Sequence, residues 1–206
     1  MDYLYANLLP LMDEIEGKPT DSDVLGALGL GDRSSTQSIV IQFGNKIEMF
    51  WNKVFSDYAI NHIEDSDRIM VDGEERQIDH FFSTPTDDYY LESKCNLNFD
   101  SEKVKASNKK VGKVVSAINE QYGTDANAGY FVPVVDVIPD ATLVKYNNKG
   151  VDVYAVSDVF DLISDIEFTK EEYFSFLEDV VGPLLLTKGL WGSRAPCPIC
   201  PFCRVT

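Results

Sequence analysis

Positive charge is scarce in this chain. Eighteen lysines and arginines face 34 aspartates and glutamates, a formal net charge of −16 over 206 residues. Affinity for nucleic acid rests largely on cationic contacts to phosphates, so this balance excludes a protein that coats DNA indiscriminately. It does not exclude one local basic face, because binding depends on where the charges sit. It also fits an acidic protein that binds a basic partner. Histidine is rarer still. His62, read as a loop residue, and His80 are the two copies, and neither has a serine or cysteine partner in a recognisable nucleophile motif. There is no Gly-rich phosphate loop followed by Lys-Ser/Thr. Cysteine stands at four, and Cys197, Cys200 and Cys203 crowd into one short stretch, which excludes a disulfide-stapled scaffold. No apolar run approaches the roughly 18 residues that cross a bilayer. The opening MDYLYANLLPLMDEIE lacks the basic start and small-residue cleavage site of a signal peptide, so the expectation is a cytoplasmic protein.

What is present has the composition of an ordinary folded domain, with 44% hydrophobic and 25% charged residues. The expected organisation is one domain over residues 1–190 and a short Cys/Pro-containing tail over 191–206. Leu4, Leu8, Leu11 and Ile15 space a helix over 1–17. A long helix is expected over 38–58, with Ile47, Phe50, Trp51, Val54 and Phe55 on one side. Strands are expected at 68–72 and 77–83, joined by an Asp72-Gly73 turn, and at 89–96 after a turn at Pro85–Asp88. Asp100 caps a helix over 101–121 with a core stripe of Val104, Val111, Val115 and Ile118, ended by Gly123. Further strands are expected at 129–138, 143–146 and 151–156, with a turn at 147–150 before the last. Ser157 caps a short helix through Ile163, and a Thr169/Glu172 capping box opens a helix to about Leu186. The order predicts an α/β fold, a mixed central sheet flanked by helices.

The chemistry concentrates in QIDHFFSTPTDDYYLESKCN. Glu92 and Lys94 are two apart on a strand and share a face. Asp79 lies on the preceding strand and can approach Glu92 if the two strands pair. Neighbouring carboxylates repel unless a positive charge sits between them. Magnesium is suited to such a place, since it takes one or two carboxylates and keeps water and phosphate oxygens as its other ligands. Lys94 cannot be a ligand, but it can orient the attacking water or stabilise charge on a phosphate. The plainer alternative is a solvated strand face with a surface ion pair. Against it stands the apolar and aromatic content of the strand, where charges need a reason. On the next helix Lys105, Lys109 and Lys113 form a stripe that Lys103 and Lys110 widen. It reads either as a phosphate grip or as a solvated helix surface.

Asp79 followed by Glu92-Ser93-Lys94 resembles the PD-(D/E)xK nuclease pattern, with Ile78 where that pattern has proline. The order helix, strands, Glu-x-Lys strand, helix, strand resembles that family's αβββαβ core. Gly44 to Glu48 is similar to a Gly/Glu helix found in many members. ESKCNLNFDSEK reads much like the same region of several type II restriction endonucleases. The resemblance spans about residues 40–160. It implies Asp79 and Glu92 as metal ligands, the Ser93 carbonyl as a third, Lys94 as the catalytic lysine and Glu48 as a further contributor. It implies Mg2+, which Mn2+ can replace, with double-stranded DNA as substrate and a homodimer; beside such a site the basic helix face of Lys103, Lys105, Lys109, Lys110 and Lys113 is expected to contact the DNA. Repair or mobile-element processing by the same fold stays open. The spacing of Cys197, Cys200 and Cys203 suits zinc or an iron–sulfur cluster but lacks a nearby fourth ligand, so an unligated tail is the other reading. The stripe Phe174, Leu177, Val181, Leu185 marks a packed helix.

Overall fold

The computed structural model describes residues 1–16, 33–63, 68–95, 97, 101–147 and 151–187. The expected cap Asp100, the centre of the 147–150 turn, and Cys197, Cys200 and Cys203 lie outside these residues. The chain divides into two compact units, Met1–Phe50 with Glu167–Thr206, and Trp51–Ile166.

The first unit is helical. It contains α1 (Asp2–Asn7), α2 (Leu9–Asp13), the first part of α3 (Arg33–Tyr58), α7 (Lys170–Phe176) and α8 (Gly182–Thr187). Its core gathers Leu4, Leu8, Met12, Ile47 and Phe176, all fully buried. Phe50 stacks on Tyr173, and Tyr3 on Phe168. Thr169 and Glu172 form the expected capping box. The expected single helix to Leu186 is interrupted: Leu177–Val181 is a wider π turn in which the Gly182 N–H donates to the Leu177 carbonyl. Pro183 follows, and its missing N–H cannot continue the α ladder.

The second unit holds the sheet. Its strands are β1 (Ile60–Ile63), β2 (Arg68–Val71), β3 (Glu74–Gln77), β4 (His80–Ser83), β5 (Asp88–Ser93), β6 (Asn127–Val132) and β7 (Asp152–Ala155). Five of them form a mixed sheet in the order β1-β4-β5-β6-β7. β1, β4 and β5 are antiparallel, and β5, β6 and β7 are parallel. Parallel neighbours need long crossovers. Here α4 (Ser101–Tyr122) and α5 (Asp140–Asn147) supply them. His62, expected in a loop, belongs to β1. On one face Phe55 of α3 stacks on Phe82 at 4.4 Å and Trp51 meets Phe131 edge-on at 5.0 Å. On the other, α4 brings Tyr122 against Phe81, and Asn108 accepts the Tyr130 hydroxyl at 3.0 Å. The expected α/β fold with a mixed sheet flanked by helices is what the chain adopts.

Several elements differ from the sequence-based expectation. The strand expected over 77–83 is two strands in two sheets: β3 pairs with β2 in a small hairpin, and β4 joins the main sheet. All four residues of β3 are exposed and all four of β4 are buried, so no single strand could serve both surroundings. The chain changes sheet at Ile78 and Asp79. Residues 143–146, expected as a strand, lie in α5, because a short apolar run carries no period of its own. β6 ends at Val132, ahead of Pro133, which has no N–H to offer a ladder. Val114 rather than Val115 completes the buried stripe of α4. The helix α6 (Val156–Leu162) is capped at Ala155, whose N–H donates to Asp158 at 2.6 Å, while Ser157 donates instead to Asp136. No described helix is long and apolar enough to cross a membrane.

Candidate active site

β4 and β5 pair through a tight turn in which the Thr84 N–H donates to the Asp87 carbonyl at 2.8 Å. His80 lies opposite Leu91 and Phe82 opposite Tyr89. That register brings the residue before β4, Asp79, to the end of β5. There its Oδ2 accepts the Ser93 N–H at 3.0 Å. β6 anchors the same end, since the Lys94 N–H donates to the Phe131 carbonyl at 2.8 Å. Asp79, Glu92, Ser93 and Lys94, placed together by sequence reasoning, are thus held together by main-chain geometry.

Glu92 is 3% exposed, on the sheet face covered by α4. A carboxylate so placed must be satisfied by hydrogen bonds or charge, and three donors do this. Lys94 Nζ donates to Oε1 at 2.9 Å, Lys110 Nζ of α4 to the same oxygen at 2.5 Å, and the Tyr90 hydroxyl to Oε2 at 2.7 Å. Burial alone would raise the carboxyl, but Lys94 and Lys110 outweigh it and hold Glu92 below its usual value. Asp79 goes the other way. Burial first, then the Glu92 charge, push it up to about 6, against the pull of Lys94, the Ser93 N–H and Lys110. Two neighbouring carboxyl groups with divergent proton affinities are what acid–base or metal chemistry uses, although buried ion-pair networks give the same signature.

Lys94 Nζ also donates to the Ser93 carbonyl at 2.9 Å. One ammonium therefore joins two of the three oxygens assigned to the metal by the family resemblance. The donor set is all oxygen, two carboxyl groups and a carbonyl, and two of the three already meet a cation, so it fits a magnesium-like ion. Among the described residues no group of three or more His, Cys, Asp or Glu side chains is placed to hold a metal. Two carboxylates, a carbonyl and water are nonetheless a sufficient shell for magnesium.

Other expected residues separate. Lys110 joins the site and, with Lys109 and Lys113, lines a cleft beside it. Lys103 and Lys105 are exposed on α4. Glu48 is on α3 within the first unit, and its assignment stays with the resemblance. Tyr90 was missed, although its spacing from Glu92 and Lys94 puts all three on one strand face. Arg76, also in the cleft, had no sequence signal. His80 takes no part in the carboxylate cluster. It is buried on the opposite face, donates to Asn52, and packs against Phe55 and Phe131. Comparison with known protein families, with curated proteins and with solved structures returned no match, so the reading of this site rests on its own geometry.

Proposed function

We propose that the chain is a magnesium-dependent endodeoxyribonuclease of PD-(D/E)xK type that hydrolyses DNA phosphodiester bonds. The observation that carries this is the buried Glu92 carboxylate, held by Lys94 and Lys110 beside an Asp79 that the Ser93 N–H fixes at the same strand end. In this reading Asp79, Glu92 and the Ser93 carbonyl hold the metal. When bound, the ion polarises the phosphate and supplies hydroxide at neutral pH. Tyr90 and Lys110 orient Glu92. The Lys94 ammonium, fixed within reach of both, positions the attacking water and stabilises charge on the phosphate oxygens. Sequence-specific cleavage of duplex DNA by a homodimer, as in type II restriction endonucleases, is the preferred form, because a chain of this size needs a partner to cut both strands of a palindrome.

The test is cleavage of unmethylated phage or plasmid DNA with Mg2+ or Mn2+, comparing wild type with Asp79→Ala and Lys94→Ala. Discrete fragments from wild type alone support a site-specific endonuclease. A smear lost in both variants keeps the nuclease and favours repair or mobile-element processing. Folded wild-type protein that cuts no DNA substrate returns the chain to the rival reading of an acidic binder of a basic partner.

A further inference from the structure

The β2–β3 hairpin stands over α4, and two adjoining cavities of about 280 and 490 Å³ lie between them. Both are lined by Val71, Asp72, Lys109 and Lys113; Arg76 and Lys110 also line the first, and Glu120 the second. Lys109 and Lys113 are one helical turn apart and share a face of α4. The groove is open at Gly112, where a Cβ would meet nothing within 4 Å. In a chain with a net charge of −16, four cations line one cleft, and Lys110, which pairs with Glu92, leaves Arg76, Lys109 and Lys113 to it.

The anion they face is internal. Asp72, at the tip of the hairpin, accepts a hydrogen bond from Lys113. That bond and the charges of Lys113, Lys109 and Arg76 hold its carboxyl below the ordinary value. Arg76 also pairs with Glu74 at 2.6 Å, whereas Lys109 has no carboxylate partner of its own among the described residues. Asp72 and Lys113 are both about half exposed. A pair so exposed is worth little and gives way to a stronger competitor. Lys110 links the cleft to the carboxylate site, since it lines the one and donates to Glu92 in the other.

We propose that this cleft takes a backbone phosphate of duplex DNA on Arg76, Lys109 and Lys113, and that Asp72 is a built-in stand-in for that phosphate which DNA must displace. The choice of ligand rests on the nuclease reading above. The hairpin then acts as a phosphate clamp that lowers affinity for DNA until the duplex is seated beside Glu92.

The experiment is fluorescence anisotropy of a short labelled duplex without divalent metal, with salt varied, on wild type, Asp72→Asn and Lys109→Ala. Asp72 has φ +53°, a left-handed conformation that asparagine tolerates well, and Asn-Gly is a favoured hairpin turn, so the first variant keeps the hairpin. Lys109 is exposed, so its truncation leaves the core intact. Asp72→Asn should tighten binding about two- to fivefold. Lys109→Ala should weaken it and reduce the slope of log affinity against log salt by about one. Asp72→Asn binding no tighter than wild type, Lys109→Ala binding equally well, or no binding by any of the three would overturn the clamp. Magnesium-dependent cleavage that persists in that case leaves the nuclease reading standing. The expected binding responses without cleavage would do the reverse.

Discussion

Asp79 and Ser93 are joined side chain to main chain: the carboxylate before β4 accepts the N–H at the end of β5 at 3.0 Å. The bond fixes Asp79 relative to Glu92 without using either oxygen of Glu92, which is filled instead by Lys94, Lys110 and Tyr90.

Lys94 competes with any cation for the same oxygens, since its ammonium lies 2.9 Å from both Glu92 Oε1 and the Ser93 carbonyl. Lys94→Met should therefore bind Mn2+ more tightly than wild type in a calorimetric titration, while cleavage falls by roughly a hundredfold or more. Weaker metal binding in the variant would mean that Lys94 supports the ligands rather than competing for them.

The proton affinity of Asp79 predicts a pH dependence. Its carboxyl is raised from the ordinary 3.8 to about 6 in the folded protein, so folding favours the protonated form. That stabilisation is fully present below about pH 4 and is lost as pH rises through about 6. Asp79→Asn cannot ionise and keeps its acceptor for the Ser93 N–H. Measured in EDTA, the difference in unfolding free energy between variant and wild type should move in the variant's favour from pH 4 to pH 7, by on the order of 3 kcal/mol, read as a relative rise in the variant's denaturant midpoint. A difference that stays flat over this range would mean that Asp79 titrates normally.

Tyr90→Phe keeps the buried ring and removes one charge-assisted hydrogen bond from Glu92. The loss should be about 1.5–3 kcal/mol, read as a lower denaturant midpoint at unchanged m. An unshifted midpoint would show that another donor replaces the phenol.

Gly129 tests the packing of the parallel strands. A Cβ there would lie 2.5 Å from the Tyr154 ring and 3.0 Å from the Asp152 carbonyl. Gly129→Ala should cost about 1–3 kcal/mol, and Tyr154→Leu should recover part of it. Equal costs in both backgrounds would place the strain elsewhere.

The sequence was most legible where period and chemistry coincide. The Glu92/Lys94 alternation, the α3 stripe from Ile47 to Phe55 and the Thr169 capping box read directly. Boundaries that depend on tertiary surroundings did not. The change of sheet at Ile78 and Asp79 is invisible locally, because Gln77 and His80 differ in burial only once the hairpin leaves the main sheet. Residues 143–146 suit either a helix or a strand until Pro139 and Asp140 are seen to start α5. The five lysines of α4 read as one stripe, yet they divide between Glu92, the hairpin and open surface, a division set by the neighbours of the helix.

That change of sheet also has a mechanical consequence. Asp79 is the hinge post of the hairpin: one end of β3 leads into it, and β4 begins just after it. A pull on the hairpin tip at Asp72 runs down a short lever to the carboxylate that meets Ser93. In the nuclease proposed above, the length and stiffness of the hairpin thereby become tuning parameters for the site beneath it.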